Sequence, residues 1–302
     1  MIELESFIDI PTPLVQLKDV LFIENKVEVY VKRDDLTHSF VSGNKFRKLK
    51  YNFREAENKH FTKILTFGGA YSNHIAAVAY AAKALGFESK AIIRGDELSE
   101  NSSPTLSFCA KQGMVFQFVS RTAYRDKNQF ISDHCYYCIP EGGSNFLALE
   151  GVSEMVDEIQ NEISNVDYIA LAMGTGGTAA GVLSNPRFKG RAIGVSVLKN
   201  GAFLLDDIKK LDANLDLERF DFWGDYDFGG YAKTTSELLS FMYEFESKHG
   251  FLIEQVYTAK LFYGIYDKIK NGYFRKGAKI VVIHTGGIQG RTKKNRVEAT
   301  RF

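Results

Sequence analysis

Short apolar runs alternate along the chain with longer segments of helical period. The runs VEVYVK (27–32), KILTFGG (63–69), SKAIIRG (89–95) and MVFQFVS (114–120) read as strands, and so do VDYIALAMGTGG (166–177), RAIGVSVL (191–198) and AKIVVIHTGG (278–287). Between them, FRKLKYNFREAENK (46–59), SNHIAAVAYAAKALG (72–86), a segment near 104–112, AYRDKNQFISDH (123–134) and the stretch opening with TAAGVLSN (178–185) carry helical patterns. HCYYCIP (134–140) reads as one more short strand. Continuous apolar strands separated by helices predict a parallel sheet covered on both faces. The strands before residue 140 and those after 165 form two lobes, with the turn-rich PEGGSN (140–145) as the crossing point. The division expected is a large domain of residues 1–50 with 150–302, and a smaller α/β domain of 51–149.

Composition narrows the function classes. With 302 residues, the chain can bury a sizeable core. The formal net charge of +1 gives no global field for nucleic acid or for an acidic membrane surface. No apolar run reaches membrane-spanning length, and MIELESFIDIPTP at the start is acidic and proline-broken, unlike a signal peptide. These features predict a cytoplasmic protein with a small-molecule partner. The three cysteines, Cys109, Cys135 and Cys138, fit reduced thiols. Cys135 and Cys138 form a C-x-x-C beside His134, but no second pair follows and no helix starts there, so two buried thiols and no metal are expected.

Candidate chemistry lies in the glycine turns that end three strands, because ligands of open parallel sheets sit outside the carboxyl ends of strands. Gly174-Thr175-Gly176-Gly177-Thr178 follows a buried strand and opens a helix. Its unpaired N–H groups and the positive end of the helix dipole make an anion cradle, to which the threonines add hydroxyls. Gly174, Gly176 and Ala179 also fit G-x-G-x-x-A, yet the acid that would hold a ribose is absent from Val195–Asn200, so a phosphate is expected and not a dinucleotide. Ser72, Asn73 and His74 open a second helix after Gly68-Gly69, with Ser72 a natural N-cap and the turn a carboxylate site. A lysine, Lys45, stands behind Ser42-Gly43-Asn44 where a loop becomes a helix, followed by Arg47, Lys48 and Lys50. An amine set apart, a phosphate cradle and a carboxylate cradle together suggest pyridoxal phosphate.

SGNKFRKLKY, GGAYSNH, PEGGSN, GTGGTAAG, VYTAK and HTGG, in that order over residues 42–287, resemble the fold type II pyridoxal-phosphate family of D-cysteine desulfhydrase and 1-aminocyclopropane-1-carboxylate (ACC) deaminase. The resemblance implies a tryptophan-synthase-β-like fold with the cofactor between two lobes, and a homodimer. It makes Lys45 the Schiff-base lysine, with Arg47, Lys48 and Lys50 surface charges or phosphate-side neighbours. Gly174, Thr175, Gly176, Gly177 and Thr178 would hold the phosphate, and Asn73 the ring oxygen. Ser72, Asn73 and His74 would receive the substrate carboxylate. Tyr257 and Tyr231 would face the substrate, and Thr258 the pyridine nitrogen, with Thr285 in a second turn nearby. A neutral Thr258 and the Ser-Asn-His order resemble the desulfhydrases, whereas the deaminases place glutamate and glutamine at those positions. The implied reaction is α,β-elimination from D-cysteine to pyruvate, ammonia and sulfide. ACC deamination to 2-oxobutyrate is the alternative, and a non-catalytic pyridoxal-phosphate- or NAD-binding protein is the reading from another class. GGAYSNH and EQVYTAK depart from the family pattern at Ala70-Tyr71 and around Tyr257.

Overall fold

The computed structural model describes residues 4–131, 134–288 and 291. Its strands are β1 (Leu14–Leu17), β2 (Glu28–Lys32), β3 (Lys63–Gly68), β4 (Glu88–Arg94), β5 (Val115–Val119), β6 (Tyr137–Cys138), β7 (Tyr168–Met173), β8 (Arg191–Ser196), β9 (Phe220–Trp223) and β10 (Lys279–Ile283). They form two sheets. The larger runs β1-β2-β10-β7-β8-β9 and the smaller β5-β4-β3-β6. All pairs are parallel except β1 on β2. β3, β7 and β10 are apolar and buried because helices cover both faces.

The helices are α1 (Val20–Glu24), α2 (Asn44–Asn58), α3 (Asn73–Leu85), α4 (Pro104–Lys111), α5 (Phe146–Glu162), α6 (Gly177–Ser184), α7 (Leu204–Leu211), α8 (Ser236–His249) and α9 (Thr258–Lys270). Their ends follow the capping rules. Ser72, Ser103, Asn145 and Thr235 each accept a backbone N–H at an N-terminus, and Gly86 and Gly250 end α3 and α8 in the left-handed conformation. Residues 123–131 do not form the expected helix, and Ser132 and Asp133 lie outside the described residues. Asp126 is extended there and caps a second short 3-10 turn, so Ala123–Arg125 and Lys127–Phe130 remain separate turns. The expected boundary at residue 50 falls inside α2. Cys135, expected to be buried, is exposed, whereas Cys109 is buried and Cys138 half-buried; none of the three forms a disulfide among the described residues.

α2 is fixed to the larger sheet by a buried charge network. Arg47, expected among the surface charges, is wholly buried. Its guanidinium donates to Asp34 at 3.0 Å and to the two carboxylate oxygens of Glu158 on α5 at 2.5 and 2.9 Å. Lys32 Nζ reaches Glu158 at 2.8 Å and the Thr12 carbonyl at 2.5 Å. The Thr12 hydroxyl closes the ring by donating to Asp34 at 2.7 Å. Burial opposes the Arg47 charge, but Asp34 and Glu158 outweigh it and hold the group protonated. Helix spacing is equally constrained. A Cβ on Gly151 would lie 2.0 Å from the Arg47 carbonyl, so α5 crosses α2 only with glycine there.

Arg47→Met should therefore destabilise the fold by about 3–5 kcal/mol, because it leaves the buried Asp34 carboxylate without its cation and Glu158 with Lys32 alone. Urea unfolding checks this; a loss below about 1 kcal/mol would show that the network is dispensable.

Candidate active site

The carboxyl ends of both sheets open into one cleft of about 610 Å³. The glycine turns build its floor. Gly43 takes φ +62° before α2, and a Cβ there would stand 2.0 Å from the Thr285 carbonyl after β10. Only glycine permits that backbone contact, which delivers Lys45 on the first turn of α2. Lys45 lines the cleft and donates to Asn44 Oδ1 at 2.7 Å. Burial pushes its amine down to about 8, with Glu254 opposing the shift.

One turn further on, Lys48 points to the start of α6. Its Nζ lies 3.2 Å from Ser144 Oγ and 3.4 Å from Thr175 Oγ1. Those two hydroxyls are 2.8 Å apart, and Thr178 Oγ1 accepts from Asn44 at 2.9 Å. A Cβ on Gly177 would come within 2.5 Å of Ser144 Oγ and 3.0 Å of Lys48 Nζ, so glycine keeps the space open. Burial and the neighbouring Lys45 drive the Lys48 amine well below its ordinary value. An anion at this helix start would restore its charge.

Across the cleft, Ser72 Oγ accepts from the Ile75 N–H at 3.3 Å, which leaves its hydroxyl hydrogen free to donate. The buried Asn73 amide oxygen has no hydrogen-bond partner among the described residues. His74 is buried, and its Nε2 lies 2.8 Å from Thr66 Oγ1. The single Thr66 hydrogen goes to the Ile139 carbonyl at 2.9 Å, so Nε2 must carry the proton that Thr66 accepts. Nδ1 is then an unpartnered lone pair. Burial, Lys45 and Lys48 hold the imidazole neutral, well below its ordinary pKa.

The fourth wall comes from the start of α9. Tyr257 and Tyr231 both line the cleft, with hydroxyls 3.5 Å apart. Burial and Tyr231 raise the Tyr257 phenol well above its usual range. Thr258 is buried and is not in the cleft lining; its hydroxyl accepts the Glu254 N–H at 2.8 Å. Thr285 lines the cleft with Ser42. Glu254, which the sequence reading did not single out, is buried and accepts the N–H groups of Val256, Tyr257 and Thr258 at 2.7, 2.6 and 2.8 Å. Its signal was a carboxylate shortly before a helix start. Ser144, inside PEGGSN, and Lys48, three residues after Lys45 on one helix face, were legible as neighbours but not as partners of Thr175.

The donor set fits pyridoxal phosphate. It supplies an amine of lowered pKa, a hydroxyl-rich helix start with a cation, and the Asn73 amide, whose NH2 can donate to a ring oxygen. The comparisons agree. Residues 6–286 match the family described as pyridoxal-phosphate dependent enzyme.

The chain belongs to the pyridoxal-phosphate dependent enzymes.

Within that family its relatives are specific. It is 33% identical over 305 residues to a Pyrococcus furiosus protein named "Putative 1-aminocyclopropane-1-carboxylate deaminase", covering 92% of this chain and 90% of that one. It is 30% identical over 314 residues to the mitochondrial bifunctional D-cysteine desulfhydrase/1-aminocyclopropane-1-carboxylate deaminase of Arabidopsis thaliana, covering 94% and 78% of the two chains. The crystal structure of an ACC deaminase homologue superposes with a TM-score of 0.80 at 28% identity, over 98% of this chain and 95% of that one. The enzyme is thus a pyridoxal-phosphate dependent member of the ACC deaminase/D-cysteine desulfhydrase family with the fold type II architecture.

A lysine at about 8 sets a pH test. Only the neutral amine attacks an aldehyde, and its fraction falls as pH drops below that value. The rate at which cofactor-free protein captures pyridoxal phosphate should rise about tenfold per pH unit up to about 8 and then level off. A rate still climbing at pH 10, measured by stopped-flow absorbance, would contradict the lowered value.

Proposed function

We propose that the enzyme catalyses α,β-elimination on a small D-amino acid, with D-cysteine as the type substrate, releasing pyruvate, ammonia and sulfide. The observation that carries this reading is the wall at the start of α9. Tyr257 there keeps its proton, Thr258 behind it is neutral, and the Glu254 carboxylate is held by three backbone N–H groups. An uncharged partner at Thr258 suits a reaction whose leaving group carries off the charge. Opening a cyclopropane asks more of the electron sink.

When bound, pyridoxal phosphate supplies an aldehyde for the substrate amine and an electron sink for its α-carbon. The protein's residues do the rest. Lys48, Ser144, Thr175 and Thr178 hold the phosphate at the α6 start, and Asn73 holds the ring oxygen. Ser72 and the α3 N-terminus orient the substrate carboxylate. His74, an acceptor at Nδ1, suits an N–H or ammonium hydrogen better than a carboxylate oxygen. Lys45, its amine lowered to about 8 by burial, takes the Cα proton. Tyr257 returns a proton to the departing group, and Tyr231, 3.5 Å away and partly exposed, connects it to water. Thr285 closes the cofactor side beside Ser42.

ACC deamination is the second reading, favoured by the names of the relatives. A panel of D- and L-amino acids with ACC, read as keto acid and sulfide, separates the two. D-cysteine should give pyruvate faster than ACC gives 2-oxobutyrate. Lys45→Ala should abolish both, and Tyr257→Phe should lower kcat by about 10²–10⁴. Faster turnover of ACC would replace the elimination reading.

A further inference from the structure

The cleft continues outward into a second chamber of about 780 Å³, and Gly69, Ala70, Tyr71, Arg94, Lys127 and Glu141 line both. Its character differs from that of the inner cleft. Arg94, Arg121, Arg125 and Lys127 contribute four cations, and Glu97 and Glu141 two acids. Each acid has a cation partner. Arg121 pairs with Glu97, and Lys127 Nζ lies 3.1 Å from Glu141. Arg94, at the carboxyl end of β4, makes no ion pair or hydrogen bond among the described residues. Its Nη2 would lie 3.7 Å from a Cβ on Gly69, at the join between the chambers.

Tyr124 forms the back of the outer chamber. It is 4% exposed, and its hydroxyl makes no hydrogen bond of ordinary geometry among the described residues, although burial and the nearby Glu141 carboxylate raise the phenol. Arg94 sits 5.8 Å and Lys127 4.8 Å from its ring centre. Cations over the ring fix their positions, while the buried hydroxyl is left to donate to something that enters. An unpaired guanidinium and a buried hydroxyl, with Glu141 drawn to Lys127, are complementary to one chemistry, a small oxyanion that takes the place of the Glu141 carboxylate at Tyr124. A substrate as small as cysteine, seated on Ser72 and Asn73, fills neither.

We propose that the outer chamber is a side-chain subsite for an anionic group, so that the substrates are amino acids whose β-substituent ends in a carboxylate or a like oxyanion, held by Arg94 with Tyr124. This rests on the elimination reading for its chemistry. With such a substrate the Cβ–S bond breaks, the sulfur leaves as a thiolate that takes a proton, and water replaces the nitrogen, giving pyruvate and ammonia. The inner site supplies the reaction and the outer chamber selects the leaving group.

The test uses two probes that differ by one charge, S-carboxymethylcysteine and its amide, S-carbamoylmethylcysteine, each as both enantiomers. The wild-type holoenzyme should prefer the carboxylate at least about tenfold in kcat/KM, the effect of one charge-assisted hydrogen-bonded contact. Arg94→Ala should collapse that preference while leaving turnover of the amide within about threefold. Arg94→Lys should retain part of it, and Tyr124→Phe should lower it. Titration calorimetry of the same probes in the Lys45→Ala background, which does not turn them over, reads the preference from binding alone. A protein that turns over the amide but shows no charge preference, or keeps it in Arg94→Ala, overturns the subsite. Uniform loss on both probes in Arg94→Ala assigns the guanidinium to the α-carboxylate and also overturns it. A preference in calorimetry that Arg94→Ala removes, from a protein without elimination activity, supports the subsite and overturns the lyase reading instead.

Discussion

The guanidinium of Arg47, sealed between Asp34 and Glu158, is the constraint on which the site depends. It joins the loop after β2, the helix α2 and the helix α5 at a point where no water can substitute. Asp34 also accepts the Gly43 N–H through its carbonyl at 2.7 Å, so the same network fixes the turn that delivers Lys45. The reactive amine is two residues from a buried ion pair that it does not join. Breaking such a network is costly because each remaining charge stays desolvated. The geometry of Lys45 is thus held by the fold and not by its own contacts, of which the bond to Asn44 is the principal one.

Within the cleft, the cations are held short of their ordinary charge. Lys45, Lys48 and His74 all have lowered pKa values, with burial the first cause in each and mutual repulsion among the others for Lys48 and His74. Glu254 is the acid that opposes the shift at Lys45, and backbone donors engage it. A doubly charged phosphate at the α6 start would reverse this balance, restoring charge to Lys48 while Lys45 reacts as a free base. The electrostatics of the cleft and the needs of the cofactor are therefore matched before either meets the other.

Much of this was legible in the chain. Strands buried on both faces carry apolar runs without alternation, which is why β3, β4, β7, β8 and β10 stood out. The edge strands β1 and β9 are four residues each and part exposed, so they carry no such run. The helix expected at 123–134 failed because a local Asp126 cap competes with helix propagation. In the site, glycine turns announced themselves, since close backbone approach needs glycine whatever surrounds it. Arg47 did not, because its burial is decided by Glu158, 111 residues away. Arg94 looked like the polar end of a strand, and only the placement of Tyr124 against it gives it a setting.

Thr66 illustrates how little sequence is needed to fix a chemical state. Its hydroxyl lies inside β3, where threonine ordinarily serves as strand filler. With one hydrogen committed to the Ile139 carbonyl, it can only accept from His74, and so it chooses which ring nitrogen is bare. Valine has nearly the same shape and would leave the strand intact, yet it would free the imidazole to turn over. Shape and proton inventory are thus separable properties at this position, and two homologues with superimposable backbones could present opposite hydrogen-bonding faces to the same ligand.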